Sequence, residues 1–430
     1  MRWLVALLFL ALIALAPAAW GEETYRATLS NGLRLIVMPD PGTDIVAIDL
    51  MLDVSAADEP ADRVGIRYLT QRLLLRGTTT ESGDSMAQRL SRIGGVVDMS
   101  LGLDYVEVYA LVPADGFDLA LEMLADIVRN PAFLPEQVEL QKQGAAEAAA
   151  GSQEDPFQAT YSAVREALYP GHPYSRSTYG DPVALAQINR DDVVAFHRER
   201  YLPGRAVIAI CGGVTSPSAL RAIRAKFSDW LDRPSAPRVK LPVSPLASSE
   251  TVARELPTSR AQLMIGFPAP AAGEPGYYEL QVIDSLLTGR SGARLPRLLR
   301  EQLGLAYDIS TFCPTLAGPS HFAVYVVTEP YAVDAVRSAV MEALAKLRQE
   351  PPSEEELARA KRYLLGAYAL GHQRMREQAY ALAWYETLGL GDDFPQRYTA
   401  DIQAVTPSQV QATAASLLGT FVLAVTMPAD

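Results

Sequence analysis

The sequence predicts an α+β fold made of two duplicated α/β-roll domains, each with a mostly antiparallel sheet packed against helices. Two observations lead to this prediction. One pattern of strands and helices occurs in both halves of the chain, with a repeat of about 200 residues that is far too long for a solenoid. Within each half the strands come in pairs joined by short turns, and paired helices interrupt them. Short turns favour antiparallel pairing, and the intervening helices favour packing on the sheet.

The clearest repeated unit is a strand, a short turn, a second alternating strand and a charged amphipathic helix. The first copy lies in residues 93–130 and contains the strand "YVEVYALV", and the second lies in residues 303–347 and contains "HFAVYVVT". Before each copy, an apolar strand leads into a helix that ends at a glycine, Gly77 or Gly289. The alternation of apolar residues predicts the strands, and the three- and four-residue spacing predicts the helices.

The chain divides into four predicted segments. Residues 1–21 carry one arginine, a continuous apolar run and then small residues, which is typical of a secretory signal peptide. An uncleaved membrane anchor is the alternative for this segment. The proline-rich residues 232–250 form a predicted linker between a first domain at 22–231 and a second at 251–430. The signal segment predicts an exported, periplasmic protein.

Charge and cysteine content exclude several classes of function. The formal net charge of −12 argues against binding to nucleic acid or to an anionic membrane surface. We therefore expect no nucleic-acid partner and no membrane contact apart from the signal segment. An exported chain permits a disulfide between Cys211 and Cys313. Both cysteines lie in or beside apolar strand-like runs, however, and this favours two buried free thiols.

The four histidines, His172, His197, His321 and His372, do not form a zinc motif. A helical zinc site needs two of them three or four residues apart, and no two lie that close in the sequence. We therefore expect a structural or solvent-exposed role for each. The sequence also contains no G-x-S-x-G turn and no P-loop, which argues against those nucleophile and phosphate sites.

The stretch "GIRYLTQRLLLRGT" at residues 65–78 predicts a short amphipathic helix. Its apolar residues recur at helical spacing and are expected to face a core: Ile66, Leu69 and Leu73. The other face carries Tyr68, Gln71 and Arg72 at positions i, i+3 and i+4, which places the three side chains one turn apart. This is the spacing at which a helix presents two histidines and a glutamate to zinc, although none of these three residues can take those roles.

The stretch "LPRLLREQLGLAYDIS" holds the second candidate site. Arg300 lies in the last turns of a predicted helix, Gly304 suits the end of that helix, and Tyr307 begins the next strand. A turn between them can bring both side chains toward one point. An arginine and a phenol together can hydrogen-bond a peptide carbonyl or the oxyanion that develops from it. An exposed arginine and an unrelated strand tyrosine are the alternative interpretation.

These segments resemble the M16 (pitrilysin/insulinase) metallopeptidase family, in the M16B branch of mitochondrial processing peptidase and its short bacterial relatives. The resemblance covers nearly the whole chain after the signal segment and implies the LuxS/MPP-like metallohydrolase fold. Active members carry a sequence like G-L-A-H-F-L-E-H-M-L-F-K-G-T where this chain has residues 65–78. The two histidines of their inverted H-x-x-E-H motif bind zinc, and the glutamate is the general base.

Aligned without gaps, the zinc motif is degenerate in this chain. The histidine positions fall on Tyr68 and Arg72, and the glutamate position falls on Gln71. The third zinc ligand of the family aligns with Ala148, next to Glu147. The resemblance therefore implies no metal and no cofactor in this chain.

The segment "LREQLGLAYDIS" matches the family pattern R-E-x-x-G-L-A-Y. In the family this arginine and tyrosine hold the substrate backbone, so the resemblance implies a catalytic role for Arg300 and Tyr307. Some members divide these parts between two subunits. The implied partner is a homologous M16 subunit with an intact H-x-x-E-H motif and zinc, and the implied substrate is a peptide or unfolded polypeptide. A non-enzymatic scaffold or peptide-binding protein, and a self-sufficient peptidase with unorthodox ligands, are the alternatives.

Overall fold

The computed structural model describes residues 24–233, 241–290, 292–391 and 393–429. The predicted signal segment, residues 1–21, lies outside the described residues. None of the helices within these ranges is both long enough and apolar enough to cross a membrane.

Six strands of the first half form one twisted sheet. They are β1 (Tyr25–Thr28), β2 (Arg34–Pro39), β3 (Ile45–Leu52), β4 (Val96–Leu101), β5 (Val106–Pro113) and β6 (Ala206–Gly212). Their order across the sheet is β1-β2-β6-β3-β5-β4. The β2–β6 pair is parallel, and the other four pairs are antiparallel. The prediction of a mostly antiparallel sheet is thus confirmed for this half.

Within the described residues, eight α-helices of the first half surround and extend this sheet. They are α1 (Ile66–Leu74), α2 (Gly83–Arg92), α3 (Phe117–Arg129), α4 (Pro135–Glu154), α5 (Pro156–Leu168), α6 (Pro182–Gln187), α7 (Arg190–Arg200) and α8 (Ser216–Phe227). The alternate residues of β3 and β5 that face α1 and α3 form a continuous apolar core with them. This core holds α1, and with it the degenerate zinc motif, against the sheet.

Five strands of the second half form a sheet of the same topology. They are β7 (Glu250–Leu256), β8 (Ala261–Ala269), β9 (Ala306–Phe312), β10 (Ser320–Thr328) and β11 (Val422–Pro428). Their order is β7-β11-β8-β10-β9, which is the order β2-β6-β3-β5-β4 of the first sheet. The β7–β11 pair is parallel, like β2–β6, and the other three pairs are antiparallel. The predicted duplication is therefore present in the strand topology.

The helices of the second half follow the same sequence of elements. The α-helices are α9 (Tyr277–Thr288), α10 (Val333–Gln349), α11 (Glu354–Gly371), α12 (Met375–Thr387), α13 (Phe394–Ala404) and α14 (Pro407–Leu417). The helices α1 and α9 each begin after a glycine in the left-handed region, Gly65 at φ 104° and Gly276 at φ 91°. This conformation strains other residues, so the repeat extends to a backbone detail that glycine permits.

The two halves exchange one helix each. The first-half helix α5 lies across β8 and β11 of the second sheet, whereas the second-half helix α12 lies across β3 and β6 of the first sheet. Small residues one turn apart, Ala159 and Ala163 on α5 and Ala379 and Ala383 on α12, are buried and allow close approach. Each sheet therefore has one face covered by its own half and the other by the opposite half.

The contact between α5 and the second sheet is close at Gly266 of β8. A Cβ atom at this position would lie 2.3 Å from Cγ1 of Val164 and 3.1 Å from Cδ1 of Leu168. Real Cβ atoms do not approach other carbon atoms that closely, so a glycine is required under the helix. In the predicted linker, Val243 and Leu246 pack against the same cluster before β7 begins.

A buried histidine lies at this same interface. His321 of β10 bonds Tyr161 of α5 through Nε2 at 2.8 Å and Tyr169 through Nδ1 at 2.9 Å. Burial, with a smaller contribution from the Arg165 guanidinium, lowers the pKa of His321 to about 3. The role of this histidine is therefore structural: its neutral ring links two tyrosine hydroxyls of the first half to the second sheet.

Both cysteines are free thiols. Cys211 is buried on β6, whereas Cys313 is half-buried just after β9. Burial raises the pKa of both thiols, that of Cys313 to about 12. A thiol in such surroundings is a poor nucleophile, which argues against a catalytic role for either cysteine.

We predict that Gly266→Ala destabilises the chain by about 1–3 kcal/mol, because the added methyl group overpacks the α5 interface. Gly366→Ala on α11 is the matched control, since a Cβ atom added there would have no neighbour within 4 Å. The control is expected to be neutral or to gain about 0.5–1 kcal/mol from the better helix propensity of alanine. Urea unfolding of both variants measures the difference. Equal stability of Gly266→Ala and the wild-type chain would contradict this packing of α5.

We also predict that His321 weakens the fold in mild acid. An unfolded histidine binds a proton below pH of about 6.5, whereas His321 in the folded chain stays neutral down to a pH of about 3. The unfolded state therefore binds more protons in this window, and stability falls as the pH falls through it. The free energy of unfolding of His321→Gln should fall less steeply between pH 6.5 and 4 than that of the wild-type chain. If the free energy of unfolding of the two chains falls equally steeply with pH, His321 does not contribute to the loss of stability in acid.

Candidate functional site

The helix α1 presents its predicted core face to the first sheet. Ile66, Leu69 and Leu73 are all buried in the core of the first half, which confirms the sequence prediction for this face. The other face does not point into solvent. It packs against the long helix α4, and there Gln71 is buried while Tyr68 and Arg72 are half-buried. The degenerate motif is therefore an interface between two helices.

Arg72 binds its neighbours through its guanidinium group. Its Nε donates to Oε1 of Gln141 on α4 at 3.0 Å, and its Nη1 donates to the hydroxyl oxygen of Tyr68 at 3.1 Å. The ring of Tyr68 in turn packs edge-on against Tyr179, with centroids 5.3 Å apart. Tyr68 and Arg72, which align with the two histidines in the resemblance, are therefore hydrogen-bonded to each other. Arg72 also links α1 to α4.

The face of α4 opposite Arg72 has no carboxylate. A Cβ atom at Gly144 would lie 2.8 Å from Nη2 of Arg72, so the glycine leaves room for the guanidinium group. Gln141, Gly144 and Ala148 follow each other at three and four residues and therefore share one face of the helix. Glu147 is exposed and is rotated by about 100° from Ala148 around the helix axis. Ala148 therefore lies on the same helix face as Gln141 and Gly144, which lie next to Arg72.

The residues at this site do not fit zinc. Zinc is bound in proteins by thiolate, imidazole and carboxylate groups, and Tyr68, Gln71, Arg72 and Ala148 offer none of these. The permanent positive charge of Arg72 also opposes a cation at the centre of the site. Across the described parts of the chain, no group of three or more histidine, cysteine, aspartate or glutamate residues is placed to hold a metal ion.

Arg300 lies on a short π-helix, Pro296–Gln302, in the second half. Such helices are rare and often occur at functional sites. Gly304, at φ 64°, follows the helix in the left-handed region, and Tyr307 is the second residue of β9. The predicted order of helix, glycine and strand is therefore what the structure contains. Arg300 and Tyr307 are both exposed.

Tyr307 lies at a β-bulge, and its main-chain carbonyl contacts Arg300. Along the β9–β10 pair, Asp308 lies opposite Val327 and Ala306 lies opposite Thr328, so Tyr307 is the extra residue between them. Nη2 of Arg300 donates to the main-chain carbonyl of Tyr307 at 2.9 Å. A bulge turns the local backbone and re-aims the side chain of the extra residue. The sequence predicted that the two side chains turn toward one point, whereas the observed contact joins the Arg300 side chain to the main chain of Tyr307.

Two further residues hold the side chain of Tyr307. Its hydroxyl donates a short hydrogen bond to the Glu329 carboxylate, and the Arg260 guanidinium carbon lies 3.3 Å from the centre of its ring. The bond to Glu329 raises the pKa of the Tyr307 phenol above its ordinary value. The sequence reasoning missed both residues. A signal was available, since Arg260 precedes β8 and Glu329 follows β10 at the same end of two paired strands.

Two family profiles match the chain side by side. The profile described as insulinase (peptidase family M16) matches residues 34–182, and the profile described as the peptidase M16 inactive domain matches residues 187–364. Together they cover most of the chain, with the degenerate motif in the first match and Arg300 and Tyr307 in the second.

Relatives and solved structures match over almost the full length. An uncharacterized zinc protease of Mycobacterium leprae is 26% identical over 409 residues, which span 93% of this chain and 91% of that protein. The Bacillus subtilis protein YmxG, also named an uncharacterized zinc protease, is 25% identical over 80% of this chain and 83% of its own length. A protease from Helicobacter pylori has a similar structure, with a TM-score of 0.90 at 18% identity over 94% of this chain and 99% of its own. The structure of a peptidase M16 inactive domain from Pseudomonas fluorescens is also similar, with a TM-score of 0.87 at 20% identity. The match covers 95% of this chain and 99% of that one.

We predict that restoring the donor set restores zinc binding. The variant with Tyr68→His, Gln71→Glu, Arg72→His and Ala148→Glu should bind close to one zinc ion per chain, measured by elemental analysis after dialysis, because all donors then lie on facing sides of α1 and α4. The same variant without Ala148→Glu is the control and should bind zinc more weakly, although it keeps Glu147. Stoichiometric zinc in the wild-type chain, or equal affinity of the two variants, would contradict this assignment of positions.

Proposed function

This chain belongs to the M16 peptidase family, and from that premise we propose that it is the zinc-less subunit of an exported, periplasmic heteromeric M16B metallopeptidase. It would close against a homologous subunit that carries an intact H-x-x-E-H motif and supplies the zinc and the general base. This chain would supply Arg300 and Tyr307, which bind the peptide substrate and stabilise the transition state. The substrate class is peptide or unfolded polypeptide.

The observation that carries the proposal is the contrast between the two candidate sites. At the first, Arg72 stands where the resemblance places a zinc-binding histidine, and it is hydrogen-bonded to Tyr68 and Gln141. At the second, Arg300 and Tyr307 are adjacent and exposed at the edge of a sheet. The relatives that are named zinc proteases support the peptidase class. The chemistry that Arg300 and Tyr307 offer is hydrogen bonding to a peptide.

Arg300 has donors to spare for that role. A guanidinium group has five N–H donors in a rigid plane, and the contact with the Tyr307 carbonyl uses one of them. The remaining donors can bind a peptide carbonyl oxygen and the oxyanion that develops from it. Because the charge of arginine is permanent, this binding strengthens as negative charge accumulates on that oxygen.

We predict that Arg300→Ala lowers the turnover of the assembled complex by about 10²–10³-fold, as expected for the loss of one oxyanion donor. The chain is produced alone and together with an M16 subunit that has the intact motif, and hydrolysis of an unfolded casein is measured. Alone, the chain should bind no stoichiometric zinc and cleave nothing. Size-exclusion chromatography must show that the variant complex stays assembled.

Arg297→Ala is the matched control, since Arg297 is an exposed arginine on the same short helix. Its complex should keep wild-type turnover. If Arg300→Ala behaves like Arg297→Ala, the catalytic role is wrong. A complex that binds casein without cleaving it would instead support the alternative of a non-enzymatic peptide-binding scaffold.

A further inference from the structure

Tyr307 is held from three sides by residues of three different segments. Arg300 of the π-helix binds its carbonyl oxygen, Glu329 after β10 accepts the hydrogen bond of its hydroxyl group, and Arg260 before β8 lies over its ring. The tyrosine is nevertheless 47% exposed. An exposed aromatic side chain with this many fixed contacts has lost much of its rotamer freedom, and that loss costs free energy. Such an arrangement is typical of a side chain that is pre-organised for binding.

The strand register explains how Arg260 and Glu329 reach the same ring. Ala261 of β8 lies opposite Thr328 of β10, so Arg260 and Glu329 are the next residues outward on two paired strands. The bulge at Tyr307 lies on β9, on the other side of β10. The cation Arg260, the anion Glu329 and the phenol of Tyr307 therefore lie together at one end of three adjacent strands.

The hydrogen bond to Glu329 decides what Tyr307 offers to a ligand. A phenol has one proton, and here that proton is directed to a carboxylate oxygen. The phenol oxygen then presents lone pairs, and it is an acceptor for an incoming N–H group. Arg300, whose guanidinium binds the main-chain carbonyl of the same residue, is a donor for an incoming carbonyl.

The charges around the phenol favour this polarity. The Glu329 bond raises the pKa of Tyr307, while the Arg260 guanidinium lowers it, so the phenol keeps its proton at neutral pH. The exposed Tyr331 also lies within electrostatic reach of Tyr307. Arg300 and Arg260 supply two positive charges on the same surface, and Glu329 supplies one negative charge.

We propose that Glu329 and Arg260 are positioning residues that fix the phenol of Tyr307 as a hydrogen-bond acceptor, so that Tyr307 and Arg300 bind an N–H and a C=O of one extended peptide strand. This inference rests on the proposed function, because it assigns the ligand of that same site. It also deepens it: Tyr307 requires an N–H group on the main chain of the peptide, so the site rejects a proline or an N-methylated residue at that position.

The first test uses the chain alone and does not depend on any partner. Tyrosine labelled with ¹³C at the ζ carbon reports the ionisation of each phenol by NMR, and Tyr307→Phe identifies the Tyr307 signal. The wild-type Tyr307 should titrate above its ordinary pKa of about 10, and Glu329→Gln should move the titration down toward that value. Glu301→Gln removes an equal charge next to Arg300 and should leave the Tyr307 titration in place. An unchanged titration in Glu329→Gln would overturn the role of Glu329.

The positioning role of Arg260 is tested by measuring how mobile the Tyr307 ring is. Relaxation of the same ¹³C signal should show a more mobile Tyr307 in Arg260→Ala. Arg260→Lys keeps the charge but loses the planar group that lies on the ring, so it should not restore the order. Wild-type order in Arg260→Ala would overturn the positioning role of this arginine.

The second test uses the complex and a series of peptides that are N-methylated at one residue each. One member of the series should bind at least tenfold more weakly to the wild-type complex, and Tyr307→Phe should remove that difference, chiefly as a change in KM. If N-methylation weakens peptide binding equally in the wild-type and Tyr307→Phe complexes, the acceptor role is overturned. The NMR result stands without hydrolysis, so an inactive complex with a shifted Tyr307 titration would reject the proposed function and retain the positioning residues.

Discussion

The architecture depends on the reciprocal exchange of α5 and α12 between the two halves. A sheet buried on one face alone leaves its other face in water, and here each half covers that face on its counterpart. Apolar burial is the main favourable term in folding, so neither half has its full core without the other. One cluster joins Ile36, Ala47 and Cys211 of the first sheet to Ala383 and Trp384 of α12. The site around Arg300 and Tyr307 is built on a sheet whose second face depends on the first half.

An ionic contact accompanies the apolar contact under α12. Arg376 donates to Asp49 of β3 at 3.1 Å and to Glu107 of β5, and both carboxylates are buried. Burial and the neighbouring Glu107 raise the pKa of Asp49 well above its ordinary value, and the Arg376 guanidinium opposes this. A buried ion pair adds little net stability, but removal of one partner is costly because it leaves a buried charge unpaired. The contact therefore favours the position of α12 on the sheet in which Arg376 meets both carboxylates, over positions that would leave them unpaired.

The sequence was sufficient for the repeat, the strand pairs and the core face of α1, because those features follow from local periodicity. It was also sufficient for the proximity of Arg300 and Tyr307, since a single turn joins them. It could not predict the exchange of α5 and α12, because an amphipathic helix does not specify which sheet it covers. Asp49 and Glu107 lie inside apolar strands, and no local pattern predicts that Arg376 pairs with them. Arg260 and Glu329 meet through strand register, which short-range patterns do not determine.

The two candidate sites differ in what their residues offer within one duplicated framework. At α1, Arg72 is hydrogen-bonded to Tyr68, and Gly144 on α4 leaves space for the guanidinium group. A glycine inside a helix costs roughly 0.5–1 kcal/mol relative to alanine, which the contacts of Arg72 must offset. The substituted helix still performs the structural task of holding α4 against the first half. Because α5 continues directly from α4 and covers the second sheet, the altered motif still helps to support the sheet that carries Arg300 and Tyr307.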